Sequence, residues 1–199
     1  MARTKEYDID ETLHKAMEAF WRNGYEATSV QDLVDATGVN RFSLYSAFGS
    51  KEGVLQAALD AYRDRVTARM MAALDDPSLR GLDAIRHFFA ALKRVFAGKD
   101  GGRGCLFINT AVEVPLLDAA SRTKVAAYLA LLEGGLLRRL SEAAAAGDIP
   151  RSLDCAALAR SLVTITLGSG VLARSSVSRS RVAGAIDGAL LMLDALAVK

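Results

Sequence analysis

Apolar residues recur three and four positions apart along most of this chain, interrupted by short polar or glycine-containing breaks, a pattern of helices joined by tight turns. Ile9, Leu13, Ala16, Met17 and Phe20 predict a first helix from Asp8 to Asn23, ended by Gly24. Val30, Leu33 and Val34 predict a second, short helix. Ser29 is placed to cap it, with Asp32 completing a capping box, and Gly38 stops it. Asn40 can cap a third helix, where the turn of about 100° per residue puts Leu44, Ala47 and Phe48 on one side and Arg41, Phe42, Tyr45 and Ser46 on the other. Further helices are predicted over Lys51 to Leu74, around the Leu82–Phe96 stripe, over Gly104 to Glu113, Leu117 to Ala146, Asp154 to Leu172, and Arg179 to Ala197. Alternating β-branched runs are missing, so the expected fold class is all-α.

Composition narrows the function. Of 199 residues 51% are hydrophobic, ample for a buried core, and no long uncharged apolar stretch or leader is read, which places the chain in the cytoplasm with no membrane partner. Cys105 and Cys155 lack metal-ligand spacing, and His14 and His87 stand alone as helix-surface or boundary residues. Neither a metal, a cofactor nor a catalytic constellation is expected, and the chain is read as a non-enzyme. The net charge of +2 argues against a generic electrostatic binder of nucleic acid. Its placement is more telling: from Ala36 to Lys51 there is no acidic residue, while Arg41 and Lys51 are present and Arg3 and Lys5 supply an N-terminal arm.

A helix presented by a tight turn can enter a major groove, where side chains distinguish the base pairs. Phe42 and Tyr45 have no other evident role, because Leu44 and Phe48 already fill the core side of the third helix. Arg41 can bond a guanine edge and Phe42 can pack on a thymine methyl or against the sugar-phosphate wall. Ser46 shares that face. Ser43 and Tyr45 can reach phosphates, as can Thr28 and Ser29 from the start of the second helix, and Lys51 sits at the next helix start, where backbone amides also attract anions. Asn40 is either a cap or a base contact.

These residues carry a resemblance. The segment from Asp8 to Leu55 resembles the DNA-binding domain of the TetR family of bacterial transcriptional regulators, through Phe20-x-x-x-Gly24-Tyr25-x-x-Thr28-Ser29-Val30, Gly38-Val39-Asn40 and Ser43-Leu44-Tyr45-x-x-Phe48-Gly49-Ser50-Lys51-Glu52. Many relatives carry His in the place of Ala47 and a small residue or proline in the place of Phe42, so no operator sequence is transferred from them. The resemblance implies a helix-turn-helix domain over residues 1–55 and a helical ligand-binding and dimerisation domain over 56–199. It further implies a homodimer formed by the last two helices, a repressor released from a palindromic operator by a small-molecule effector. Two recognition helices related by a two-fold axis would read half-sites about one turn, ~34–36 Å, or a multiple apart.

The remaining chemistry lies in the predicted C-terminal domain. Gly98 to Gly104 reads as a flexible loop, since a phosphate cradle would need a preceding strand and a Gly-Lys-Ser/Thr ending. The stretch Gly104-Cys105-Leu106 with Asn109 and Glu113 resembles one branch of the same family in its regulatory domain. Asn109 and Glu113 are either core groups bonded to neighbours or members of a pocket, together with Phe88 and Phe89. Cys105 is either packing or an electrophile- or redox-sensing thiol, its thiolate favoured by Arg103 and a helix start. Gly168, Gly184 and Gly188 would allow close helix approach, and the excess apolar surface of the last two helices suggests a subunit interface. The rival of another class is a helical enzyme or carrier built on Glu113, His87 and Cys105.

Overall fold

In the computed structural model, which describes residues 8–175 and 178–198, the helices follow the predicted stripes. The arm carrying Arg3 and Lys5 lies outside the described residues. Helix α1 (Ile9–Asn23) begins at Asp8, whose carboxylate accepts from the N–H groups of Asp10 and Glu11. Helix α2 (Val30–Thr37) carries the reciprocal capping box of Ser29 and Asp32 and ends on left-handed Gly38. In α3 (Arg41–Phe48) the Asn40 side chain accepts from the Ser43 N–H at 2.9 Å, which makes Asn40 the cap. Ala47 departs from the expected pattern: it faces solvent, because the core side of this short helix is only as wide as Leu44 and Phe48.

The expected long helix is three pieces end to end: α4 (Lys51–Tyr62), a π-helical turn over Arg63–Thr67, and α5 (Ala68–Asp75). The break after α5 is organised by buried Arg139, whose guanidinium donates to the carbonyls of Leu74, Asp76 and Leu79 and to Glu142. Helix α6 (Gly81–Ala97) leads through a 3-10 turn at Gly101–Arg103 to α7 (Leu106–Ala111). α7 stops short of the predicted helix, so Glu113 lies beyond its end, past Val112. Three long helices follow: α8 (Ala119–Ala146), α9 (Cys155–Arg174) and α10 (Arg179–Leu196). No strand occurs among the described residues.

Two apolar cores divide the molecule. One gathers α5, α6, α8, α9 and α10 around Phe88, Phe89, Leu132 and Ile186. The other holds α1, α2, α3 and α4 around Phe20, Leu33, Leu44 and Leu59, and it continues into α7 and α8 through Phe107 and Tyr128. The head is therefore packed onto the body through a shared core. Lys93–Asp187 and Arg86–Asp194 ion pairs fasten α6 to α10 at its rim.

Helix α9 is the one helix among the described residues long and apolar enough to cross a membrane by length and composition. Its inner face packs on α8 and α10. Its exposed face carries the small residues Ala157, Ser161, Thr164 and Gly168, with Arg160 and Val171. A Cβ added at Gly168 of α9, or at Gly184 and Gly188 of α10, would meet nothing within 4 Å, so these glycines serve no close approach inside the chain. They lie beside the exposed Val171, Leu191 and Met192, on a face open to a second chain.

Candidate nucleic-acid interface

Arg41, Phe42, Tyr45 and Ser46 line one open hollow on the outer side of α3. Phe42 is 84% exposed, while Leu44, two residues on, is fully buried. The Arg41 guanidinium stands 5.3 Å from the centre of the half-exposed Tyr45 ring, an arrangement that orders a cation at the face of the helix. Arg41 and Ser46 are exposed, and half-buried Ser43 lies in the first turn of α3, beside them. An arginine fork, a bare aromatic ring and hydroxyls on one helix face suit base edges, a thymine methyl and phosphate oxygens. Lys51 sits at the start of α4 with its ammonium 4.3 Å above the Tyr25 ring, and Tyr25 in turn donates to Glu52 at 2.9 Å. Desolvation and then that carboxylate push the Tyr25 phenol up, so it acts as a donor.

Two expected phosphate contacts need revising. Thr28 is fully buried and donates its hydroxyl to the Gly24 carbonyl at 2.6 Å, so it braces the turn from inside and presents nothing to a duplex. Ser29 is exposed, but its N–H and hydroxyl both donate to the Asp32 carboxylate. Its donors are held within the capping box, next to a negative charge.

The residues expected to form a pocket are distributed differently. Phe88 and Phe89 are fully buried and pack edge to face in the body core. Asn109 is buried and donates to the carbonyls of Arg103 at 2.9 Å and Trp21 at 3.4 Å. Glu113 accepts from the backbone N–H groups of Tyr25 at 2.8 Å and Glu26 at 3.2 Å. Both polar residues thus hold the head, Asn109 from within α7 and Glu113 from just past its end. Arg174 completes that grip by donating to the carbonyls of Trp21 and Arg22. The Trp21 and Arg22 carbonyls are orphan groups at the C-terminal end of α1, satisfied here by side chains of α7 and α9.

The cavity lies elsewhere, between the α4–α5 junction, α6, α7, α8 and α9. It is a narrow slot with room for about one water-sized sphere, and its walls include Tyr62, Thr67, Met70, Phe96, Cys105 and Tyr128. Of the expected pocket residues only Cys105 is in its wall. Its thiol is buried 3.9 Å from the Tyr128 hydroxyl, and burial pushes its pKa up. Arg103 does not offset this, since its guanidinium is paired with Glu18 and Asp100. The thiolate expected from the sequence is therefore disfavoured. His14 and His87 are exposed helix-surface residues, the latter bonded to the Asp83 carbonyl, and no metal-binding cluster occurs among the described residues. Sequence reasoning missed Trp21, Tyr62, Thr67 and Arg174, which carry no local signal because their partners lie on other helices.

A capped helix-turn-helix head with a basic, aromatic outer face, carried by a helical body with an internal cavity, defines a DNA-binding transcriptional regulator. The chain belongs to the TetR family. Residues 13–58 match the model for bacterial regulatory proteins of the tetR family, and residues 81–188 match the tetracyclin repressor-like C-terminal domain. The chain is 37% identical over 176 residues to the HTH-type transcriptional repressor ComR of Escherichia coli (strain K12), covering 88% of this chain and 84% of that one. It is 31% identical over 196 residues to the uncharacterized HTH-type transcriptional regulator YezE of Bacillus subtilis (strain 168), covering 98% and 100%. Among solved structures it is similar to a cysteine mutant of the TetR family regulator CifR complexed with 26-base-pair operator DNA, with a TM-score of 0.82 and 29% identity over 95% of this chain and 98% of that one.

Proposed function

We propose that this regulator is a homodimeric repressor whose two α3 helices read a palindromic operator and whose internal cavity receives the molecule that releases it. The observation that carries the reading is the outer face of α3, where Arg41, Phe42, Tyr45 and Ser46 stand together at the surface opposite buried Leu44. Arg41 and Phe42 are assigned to bases, Ser43, Tyr45, Ser46 and Lys51 to phosphates, and Asn40 to capping. The open faces of α9 and α10 support the dimer, and the solved CifR–operator complex supports the mode of binding. A repressor acting on chromosomal DNA works in the cytoplasm.

The cavity wall touches the head directly. Tyr62 packs its ring against Trp21 at 5.1 Å, and the Gly104 carbonyl beside Cys105 accepts from the Trp21 indole N–H at 3.1 Å. A molecule that parts these walls displaces Trp21 and, through it, the C-terminal end of α1. Release then follows as a population shift, set by how much better the ligand binds the displaced state. The raised thiol pKa of Cys105 favours reversible binding over thiol chemistry as the trigger.

Selection of bound fragments from genomic DNA with the purified protein tests the reading. A palindrome is expected, its recovery lost with Arg41→Ala or Tyr45→Ala. Duplex binding that is absent, or that shows no decline with added salt, would overturn it.

A further inference from the structure

The π turn over Arg63–Thr67 leaves one cavity hydroxyl without a partner. Every other threonine among the described residues donates to the carbonyl four positions back: Thr12, Thr28, Thr37, Thr110, Thr123, Thr164 and Thr166. Thr67, only 2% exposed and in the cavity wall, does not, and its Oγ1 makes no hydrogen bond. A π turn displaces the carbonyls from their α-helical register, and such turns are often found where a helix has been adapted to a ligand. A buried hydroxyl left unpaired is costly, and of the three such hydroxyls among the described residues, those of Thr67, Ser121 and Ser169, only that of Thr67 belongs to the cavity wall, where a ligand can supply the partner.

The rest of the wall sets the character of that partner. No Asp, Glu, Lys, Arg or His lines the cavity, and its other polar groups are the Tyr62 and Tyr128 phenols, the Cys105 thiol and the Thr166 hydroxyl, the last already bonded to the Leu162 carbonyl. Desolvation holds both phenols in the neutral form. An ionised ligand would lose its hydration here without meeting an opposite charge. Met70, Leu92, Val95, Phe96 and Ile108 supply apolar contact, and Met70 is the flexible one.

Building on the effector reading above, we infer that the cavity takes a compact, uncharged, largely apolar molecule bearing one oxygen, an alcohol, aldehyde or ketone, which hydrogen-bonds Thr67 Oγ1. Entry widens the slot by moving Met70 and the π turn. Carboxylates and ammonium compounds of the same carbon skeleton are excluded.

The full-length protein, without DNA, is titrated with alcohols and ketones graded from butanol to octanol and cyclohexanol, and with the matching carboxylates and amines. Trp21, the single tryptophan, reports binding by fluorescence because it touches Tyr62. Neutral probes are expected to bind, the charged ones at least about tenfold more weakly. Thr67→Val, nearly isosteric, is expected to weaken the neutral probes about tenfold and to raise the ligand-free Tm by about 2–4 °C, and Thr67→Ser to retain binding. Equal binding by Thr67→Val, comparable binding of carboxylates, or binding of none of the neutral probes overturns the assignment. Neutral probes that bind the protein but never loosen its operator complex would defeat the effector reading alone, leaving the ligand class in place.

Discussion

Phe42 and Leu44 stand two positions apart on α3 and do opposite work. Leu44 is fully buried in the core of the head, so Leu44→Ala removes core contacts and leaves a cavity, costing about 2–5 kcal/mol in chemical denaturation. Phe42, 84% exposed, holds nothing together in the free protein, so Phe42→Ala is expected to leave stability within about 0.5 kcal/mol. Its loss should instead appear in fluorescence-anisotropy titrations of the selected operator, as about tenfold weaker binding with thymine-bearing positions less discriminated. A Phe42→Ala protein that unfolds early while binding the operator unchanged would reverse the assignment. Cys105 offers a second contrast, with Cys155. The former is buried with its pKa raised, while Cys155 is partly exposed, so iodoacetamide should label Cys155 first, and Cys105 only after the cavity opens.

At the scale of elements, the caps decide where each helix of the head starts. In α2 the Asp32 carboxylate accepts from the Ser29 hydroxyl at 2.6 Å and the Ser29 N–H at 2.7 Å, and these bonds, the hydroxyl's first, hold its pKa below the ordinary aspartate value. A depressed folded pKa means stability that is present above the unfolded value and lost as pH falls through the folded one. Acid should therefore fray α2 below about pH 4, and Asp32→Asn should flatten that dependence in hydrogen exchange across residues 29–37. The grip of α7 on α1 is the second device at this scale. Glu113→Ala strips the acceptor from the buried Tyr25 N–H, which costs about 1–3 kcal/mol and loosens the head, so operator affinity should fall although residue 113 is remote from α3. Gly24 cannot absorb the change. It sits at φ +90° with Glu113 3.0 Å from where a Cβ would be, so Gly24→Ala should damage the same joint.

For the whole molecule, specificity depends on two heads held at a fixed separation. A charge set into the open α9–α10 face by Leu191→Asp, at a residue 70% exposed in the single chain, should give monomers in analytical ultracentrifugation with the helical content unchanged. Operator binding should fall far more than for any single base-contact variant, since both half-sites must be read together. A dimeric Leu191→Asp protein with parental affinity would place the interface elsewhere.

The stripes, caps and glycine stops of α1, α2 and α3 are encoded within about one helical turn of each boundary, so Gly24, Ser29 and Gly38 were legible from sequence spacing, while Asp8, read as the first helical residue, is the cap of α1, and Asn40, left open between cap and base contact, is the cap of α3. The outward placement of Phe42 and Tyr45 was legible for the same reason: helical period alone sorts side chains by face. The internal hydrogen bonds of Thr28 and Ser29 were not legible, because a hydroxyl's partner depends on backbone geometry that composition does not state. Phe88 and Phe89 were read as pocket, and Glu113 and Asn109 left open, because a cavity wall and a clamp are assembled from helices far apart in the chain. Local spacing determined the head, its exposed aromatic and basic face and the apolar helices behind it. Only the packing of those helices decided which polar groups went unpaired, which thiol was kept neutral, and how the cavity came to lie against Trp21.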